Sequence, residues 1–202
     1  TSSDLSSSSM LPFWFASDTL GNNIDVTYGE GGYVNYESDV NTVGLWRFDE
    51  QRTGSYTEDD SGYVNHGTAT GTTFTSNGVL SGAKIFNGSS DYITIPTKTE
   101  FSFNRTDTYS LGAWFKTSYT AATQRILAKM TNASPYTGYD LNIVGGLLKA
   151  QLVSSWSSSA IQVDGSTTVT DGKWHYVTVT YDGSSSGSGV KIYLDGMLEN
   201  MT

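Results

Sequence analysis

From Val43 onward, apolar residues recur at every second position in a series of short runs, the period of a half-buried β-strand. In the run 43–48, Val43 and Leu45 share one face and Trp46 and Phe48 the other. Tyr109, Leu111, Ala113 and Phe115 alternate through 109–115, and Val177, Val179 and Tyr181 through 174–181. Val190, Ile192 and Leu194 align in 190–194. Shorter runs at 125–130, 139–144, 147–153 and 160–163 are separated by Gly or Ser/Thr turns. Residues 83–86 and 92–96, joined by the polar stretch 87–91, read as a short hairpin, and Asp195-Gly196 is a two-residue hairpin signal. No segment sustains a helical period for ten residues. Many short strands at this spacing predict an all-β sandwich or barrel.

Ahead of these runs the pattern changes. Residues 1–9 are low in complexity and read as a disordered segment or linker. Residues 10–41 read as an N-terminal β appendage or the end of a preceding module. Phe13, Trp14 and Phe15 stand consecutively there, a cluster that a free tail would not expose, and Ile24, Val26 and Tyr28 alternate like a strand over 22–29. Residues 42–202 form the main domain, with Trp46, Trp114 and Trp174 expected in its core.

Composition supports the β reading. The chain holds 28 Ser, 27 Thr and 22 Gly in 202 residues, against a charged fraction of only 15%. Ser and Gly feed turns, while Thr and the 13 Tyr suit a pleated surface. A net charge of −9 repels phosphate backbones and argues against a nucleic-acid partner. No run approaches the length of a membrane-crossing apolar helix, so no membrane insertion is expected. With no Cys, disulfides, thiol nucleophiles and Cys-ligated metals are excluded. The low Lys and high Ser/Thr content suit an extracellular, cell-surface or virion-surface setting.

Five motifs stand in order over 43–196. They are Leu45-Trp46-Arg47-Phe48-Asp49-Glu50 with Asp60-Ser61-Gly62-Tyr63-Val64-Asn65-His66-Gly67; Phe86-Asn87-Gly88-Ser89-Ser90-Asp91-Tyr92-Ile93; Ser110-Leu111-Gly112-Ala113-Trp114-Phe115-Lys116; Gly172-Lys173-Trp174-His175-Tyr176-Val177 through Thr180-Tyr181-Asp182-Gly183; and Ile192-Tyr193-Leu194-Asp195-Gly196. Together they resemble the laminin-G-like, concanavalin A-like lectin/glucanase jelly rolls of prokaryotic-type surface proteins. The resemblance implies a two-sheet antiparallel jelly-roll sandwich. It also implies strands beyond the 192–196 hairpin that close the sandwich; here a longer parent chain, residues 22–29 or a neighbouring chain would supply them.

The resemblance further implies a structural Ca²⁺ at the turn carrying Asp60 and Asn65, with Asp49 as helper. The alternative for Asp60 is an Asx-turn that bonds its own backbone. Ligands in this fold meet edge loops or a sheet face, where aromatic rings stack on sugar C–H faces. Trp156, Tyr136 and Tyr119 are the loop aromatics placed to do so, with packing across the sheet rim the favoured alternative for Trp156. Four N-x-S/T sequons, at Asn87, Asn104, Asn132 and Asn200, are glycosylation sites only where the host glycosylates secreted proteins.

Catalysis finds little support in the sequence. The paired-carboxylate E-x-D-x-x-E strand of sugar-cleaving relatives is absent, and Glu58-Asp59-Asp60 reads as a solvated turn. His66 and His175 are the two histidines, and His175 shares the apolar parity of its strand, as a structural histidine does. The reading is therefore not an enzyme but a non-catalytic extracellular module, within a larger secreted or surface protein, that recognises a glycan or a surface protein in adhesion. Its alternative is a structural subunit of a surface filament or virion appendage, self-assembling through sheet edges by strand complementation. A glycoside hydrolase ranks third.

Overall fold

The structure, a computed structural model, describes residues 8–16, 27–28, 34–35, 38–49, 55–155 and 159–200. The strands are β1 (Ser8–Ala16), β2 (Thr27–Tyr28), β3 (Val34–Asn35), β4 (Thr42–Trp46), β5 (Tyr56–Thr57), β6 (Gly67–Thr70), β7 (Thr73–Thr75), β8 (Ala83–Phe86) and β9 (Tyr92–Thr94). They continue with β10 (Tyr109–Lys116), β11 (Gln124–Met130), β12 (Gly138–Val144), β13 (Leu147–Ser155), β14 (Ser159–Asp164), β15 (Trp174–Tyr181), β16 (Val190–Leu194) and β17 (Met197–Leu198). Among the described residues the helical content is two three-residue 3-10 turns, at Thr99–Phe101 and Gly187–Gly189.

Eight strands form one sheet in the order β17-β16-β15-β10-β1-β8-β7, with β4 also paired to β1. Against it lie a four-stranded sheet, β11-β12-β13-β14, and a three-stranded sheet, β5-β6-β9; β2 and β3 pair separately. All the strand pairs are antiparallel. The N-terminal strand sits in the middle of the large sheet. One edge of β1 pairs with β10, and its other edge is shared, Ser8–Met10 facing β8 and Phe13–Ala16 facing β4. Ser8 and Ser9, in the stretch read as a linker, thus begin a sheet strand. Of the 22–29 run only Thr27–Tyr28 is described, as β2; the remainder lies outside the described residues.

Strand alternation builds the core. Tyr109, Leu111, Ala113 and Phe115 of β10, Val177, Val179 and Tyr181 of β15, and Val190, Ile192 and Leu194 of β16 point inward. Tyr139, Leu141 and Ile143 of β12, with Leu148, Ala150 and Val163, meet them from the opposite sheet. Each of the Val, Leu, Ile and Phe side chains contributes about 1.5–3 kcal/mol on burial. Tyr109 and Tyr139 join the layers, their ring centroids 5.4 Å apart, and Phe103 stacks on Tyr109 at 4.5 Å. The Tyr139 hydroxyl donates to the Phe101 carbonyl at 2.9 Å.

Two expectations need correction. Runs 83–86 and 92–96 are no hairpin, because β8 lies in the large sheet and β9 pairs with β6. The intervening residues form a corner between layers: Asn87 Oδ1 accepts from the amides of Ser89, Ser90 and Asp91, and Asp91 Oδ2 accepts from the Asn87 amide. That polar closure is satisfied within the loop, so the flanking strands are free to diverge. Trp46 is wholly buried, as expected, but Trp114 and Trp174 are half-buried on the face turned away from Leu111 and Val177. There Trp114 packs on Tyr176 with centroids 5.2 Å apart.

Burial holds the Tyr109 hydroxyl well above the ordinary tyrosine range, with Tyr139 and Tyr181 adding to the effect, and burial alone does the same to Tyr139. The folded chain therefore keeps two protons that the unfolded chain releases above about pH 10. Stability from these groups should be intact below about pH 10 and fall above it, by up to about 1.4 kcal/mol per pH unit for each tyrosine. Chemical denaturation between neutral and strongly alkaline pH, repeated with Tyr109→Phe, checks this. An unchanged alkaline slope in the variant would contradict it.

Candidate functional site

The turn after β5 is organised by Asp59, which sequence reading passed over as solvated. The residue is 5% exposed, and its carboxylate accepts four hydrogen bonds. Oδ1 takes the amides of Leu45 (2.8 Å) and Ser61 (2.9 Å), and Oδ2 takes the Ser61 hydroxyl (2.7 Å) and the Asn65 amide (2.6 Å). Its own amide donates to His66 Nδ1 at 3.1 Å, giving that histidine a structural part.

Beside it, the expected calcium residues are separated. Asp60 is exposed and ion-paired to Arg47 at 3.0 Å. Burial raises the Asp60 pKa; Arg47 opposes this, while the Asp49 and Glu58 carboxylates add to it. Asn65 is fully buried, its Nδ2 donating to the Val43 carbonyl (2.9 Å) and its own carbonyl accepting from Trp46 Nε1 (3.1 Å). Calcium takes six to eight oxygens. Of this set, Asp60 is paired to Arg47 and lies near Asp49, while Asn65 is sealed in the core with its Oδ1 unpartnered. Among the described residues no group of three or more His, Asp or Glu is arranged to hold a metal ion.

His175 faces two carboxylates, Asp195 Oδ2 at 2.8 Å from Nδ1 and Asp171 Oδ1 at 3.1 Å from Nε2. Both bonds form at once only when both ring nitrogens carry protons. The Lys173 amide and side chain hold the Asp171 carboxyl well below the usual range, with His175 contributing. Asp195 also accepts from the Tyr176 amide at 2.8 Å. The cluster ties the start of β15 to the Asp195-Gly196 turn, where both residues adopt positive φ (50° and 82°) as a tight hairpin demands.

The loop aromatics divide between opposite ends of the four-stranded sheet. Tyr136 lies in the β11–β12 connection, exposed, at the end where β13 passes into β14. Trp156 belongs to that β13–β14 connection but lies outside the described residues. Tyr119 is in the β10–β11 connection at the other end, its amide bonded to Thr117 Oγ1 at 3.1 Å. The four sequon asparagines are exposed; Asn87 Nδ2 is bonded to Ser90 and Asn104 Nδ2 to Asp107.

Between those ends the outer face of the sheet carries a polar ladder that sequence reading did not single out. Because Tyr139, Leu141 and Ile143 point inward, Asp140 and Asn142 point out. One cross-strand row runs Arg125, Asn142, Lys149, Asp164; the next runs Ala128, Asp140, Gln151, Gln162. Asn142 Nδ2 approaches Gln151 Oε1 at 3.4 Å, Gln151 Nε2 donates to Gln162 Oε1 at 2.9 Å, and Lys149 is ion-paired to Asp164 at 3.2 Å. Asp140 and Asn142 are 4% and 3% exposed, yet the Oδ1 atom of each has no partner. Burial raises the Asp140 pKa against the opposing effects of Asn142, Arg125 and Lys149. The signal was present in the alternation of polar with apolar residues through 139–144 and 149–151.

Residues 87–201 match the family model described as the concanavalin A-like lectin/glucanases superfamily. No curated protein matches the chain.

Asp59 and Asp60 should behave oppositely despite adjacency. Asp59→Ala strands buried amides of Leu45 and Asn65 and should cost about 3 kcal/mol or more, at about 1–3 kcal/mol for each unsatisfied group. Asp60→Ala removes a surface ion pair worth at most about 1 kcal/mol. Urea denaturation of both variants checks the contrast; equal losses would contradict it.

Proposed function

The chain belongs to the concanavalin A-like lectin/glucanase superfamily, and on that premise we propose that it is a non-catalytic module recognising carbohydrate on the outer face of the β11–β14 sheet, within a larger secreted or surface protein. The observation that carries this reading is that three of the six buried, unpartnered side-chain oxygens among the described residues, the Oδ1 atoms of Asp140, Asn142 and Asp164, lie in this ladder. A buried acceptor without a donor costs about 1–3 kcal/mol, and a sugar hydroxyl would supply the donor once neighbouring side chains move aside, since these atoms expose almost no surface. Gln151 and Gln162 offer donors and acceptors alongside, and Tyr136 offers an exposed ring at one end for stacking. Binding of this kind requires no proton transfer. Asp164 is held by Lys149, and the His66 Nδ1 and both His175 ring nitrogens are already engaged.

One observation favours a second reading, a subunit that self-assembles by strand complementation. The strand joining β10 to β4 and β8 comes from the N-terminal segment, and the same segment of a second copy has the sequence to fill that place. Sedimentation velocity at two protein concentrations separates the readings: a monomer at both supports the first, large particles the second.

On immobilised oligosaccharides, Asp140→Ala should weaken retention about tenfold or more, since a hydrogen bond to a charged group is worth about 1.5–3 kcal/mol, and Asn142→Ala a few-fold, since a neutral one is worth about 0.5–1.5 kcal/mol. Trp156→Ala should abolish retention without moving the melting temperature. Retention unchanged in all three variants would contradict the sheet-face reading.

A further inference from the structure

The layer facing the large sheet is in two pieces, and their ends are strand edges. The three-stranded piece ends on β9 and the four-stranded piece on β11. Among the described residues β9 pairs only with β6 and β11 only with β12. An unpaired strand edge presents a row of free amides and carbonyls, the template for adding a further strand.

A cleft of about 1680 Å³ is lined by both edges, Tyr92–Thr94 on one side and Gln124–Met130 on the other. Its floor is apolar and belongs to the core, with Phe48, Phe101, Phe115 and Ile143 at the bottom. Ile93, Ile95 and Ile126 are only partly buried, packed on that core from the cleft walls. This lining suits alternate apolar side chains better than sugar hydroxyls.

Charge identifies the occupant further. Among the described residues the lining includes Arg105, Lys116, Arg125 and Lys129, four of the chain's 11 cations, but Asp91 alone of its 20 carboxylates. Asp91 is moreover turned to the Asn87 amide. Among the described residues none of the four cations is in a salt bridge. Arg105, however, donates to the Ser185 carbonyl at 3.2 Å, and Arg125 stands in the outer-face row beside Asn142 and near Asp140, which leaves Lys116 and Lys129 to form the basic rim. In a chain of net charge −9 this is a local reversal of sign.

We propose that the cleft is a strand-acceptor site for an acidic, extended segment of a partner polypeptide, apolar at every second residue. The segment lies between β9 and β11, pairs with both edges, and joins the two pieces into one continuous layer. Its apolar side chains enter the floor and its carboxylates meet the basic rim. Strand pairing supplies affinity that tolerates sequence, while pockets and charge select the partner. The site shares Arg125 with the polar ladder but its floor and both strand edges lie apart from it, and it does not depend on that reading.

The probe is a capped synthetic peptide of alternating glutamate and valine, compared with a lysine–valine peptide and with a glutamate–valine peptide carrying a central proline. Binding is measured on the full chain by calorimetry, and amide exchange locates the contact. The acidic peptide should bind at least about tenfold more tightly than either comparator, more weakly at high salt. Amides of 92–95 and 124–130 should gain protection. Lys116→Glu with Lys129→Glu should weaken binding about tenfold or more, and the separate variant Ile93→Lys should weaken it even at high salt. Should Ile93→Lys fail to fold, the charge-reversal pair alone decides. Absence of binding, equal binding of the acidic and basic peptides, or protection confined to another edge such as Met197–Leu198 would each overturn the proposal.

Discussion

The contact between Tyr139 and Tyr109 settles which way β12 faces. Strand side chains alternate, so a ring held 5.4 Å from its partner across the sandwich commits Leu141 and Ile143 to the core as well. It equally commits Asp140 and Asn142 to the opposite side. A one-residue slip would exchange the two sets, placing a carboxylate against Leu111 and three large apolar groups in the polar ladder. The core and the candidate binding face are thus two consequences of one register. The rows through Lys149–Asp164 and Gln151–Gln162 extend that register across three strands.

Elsewhere the structure uses buried carboxylates where a larger core would use apolar contacts. Asp59 collects amides from β4 and from its own turn, and Glu199 plays a similar part near the far edge. The Glu199 side chain accepts from the amides of Ser166 and Thr167 and from the Thr167 hydroxyl, fastening the segment after β17 to the loop following β14. Each is an acceptor-only group surrounded by donors, the arrangement in which a carboxylate stabilises a turn without a metal. Local satisfaction of this kind also explains how the acidic turn at 58–60 holds its shape with Asp60 paired to Arg47.

Much of the sandwich was legible from alternation. Runs 174–181 and 190–194 coincide with β15 and β16, and 109–115, 125–130, 139–144 and 147–153 each fall within a residue or two of a strand. Pairing was less legible. Alternation marks a strand but not its neighbour, so the 83–86 and 92–96 runs looked like a hairpin until the Asn87 corner carried them into different sheets. The same ambiguity put Trp114 and Trp174 in the core, because a half-buried aromatic on an outer face reads like a buried one. Nor did the pattern of Phe13, Trp14 and Phe15 reveal that β1 lies between β10 and β4, which is a long-range pairing. Of the site, the aromatic loops were visible, but the ladder was not. Asp140 and Gln151 gain meaning only once β12 and β13 are side by side, and Asp59 differs from Asp60 only in the direction its side chain takes.

The claim that the polar face is the binding surface is tested most directly by side-chain amide spectroscopy. With the chain isotopically labelled, neutral oligosaccharides of differing linkage are titrated while the amide groups of Asn142, Gln151 and Gln162 are followed. At least one oligosaccharide should shift those three together and saturate, leaving Asn65, sealed beneath Trp46, unmoved. If every oligosaccharide leaves all three in place, or moves only residues of the edge loops, the ladder is a structural feature of the sheet and the binding surface lies elsewhere.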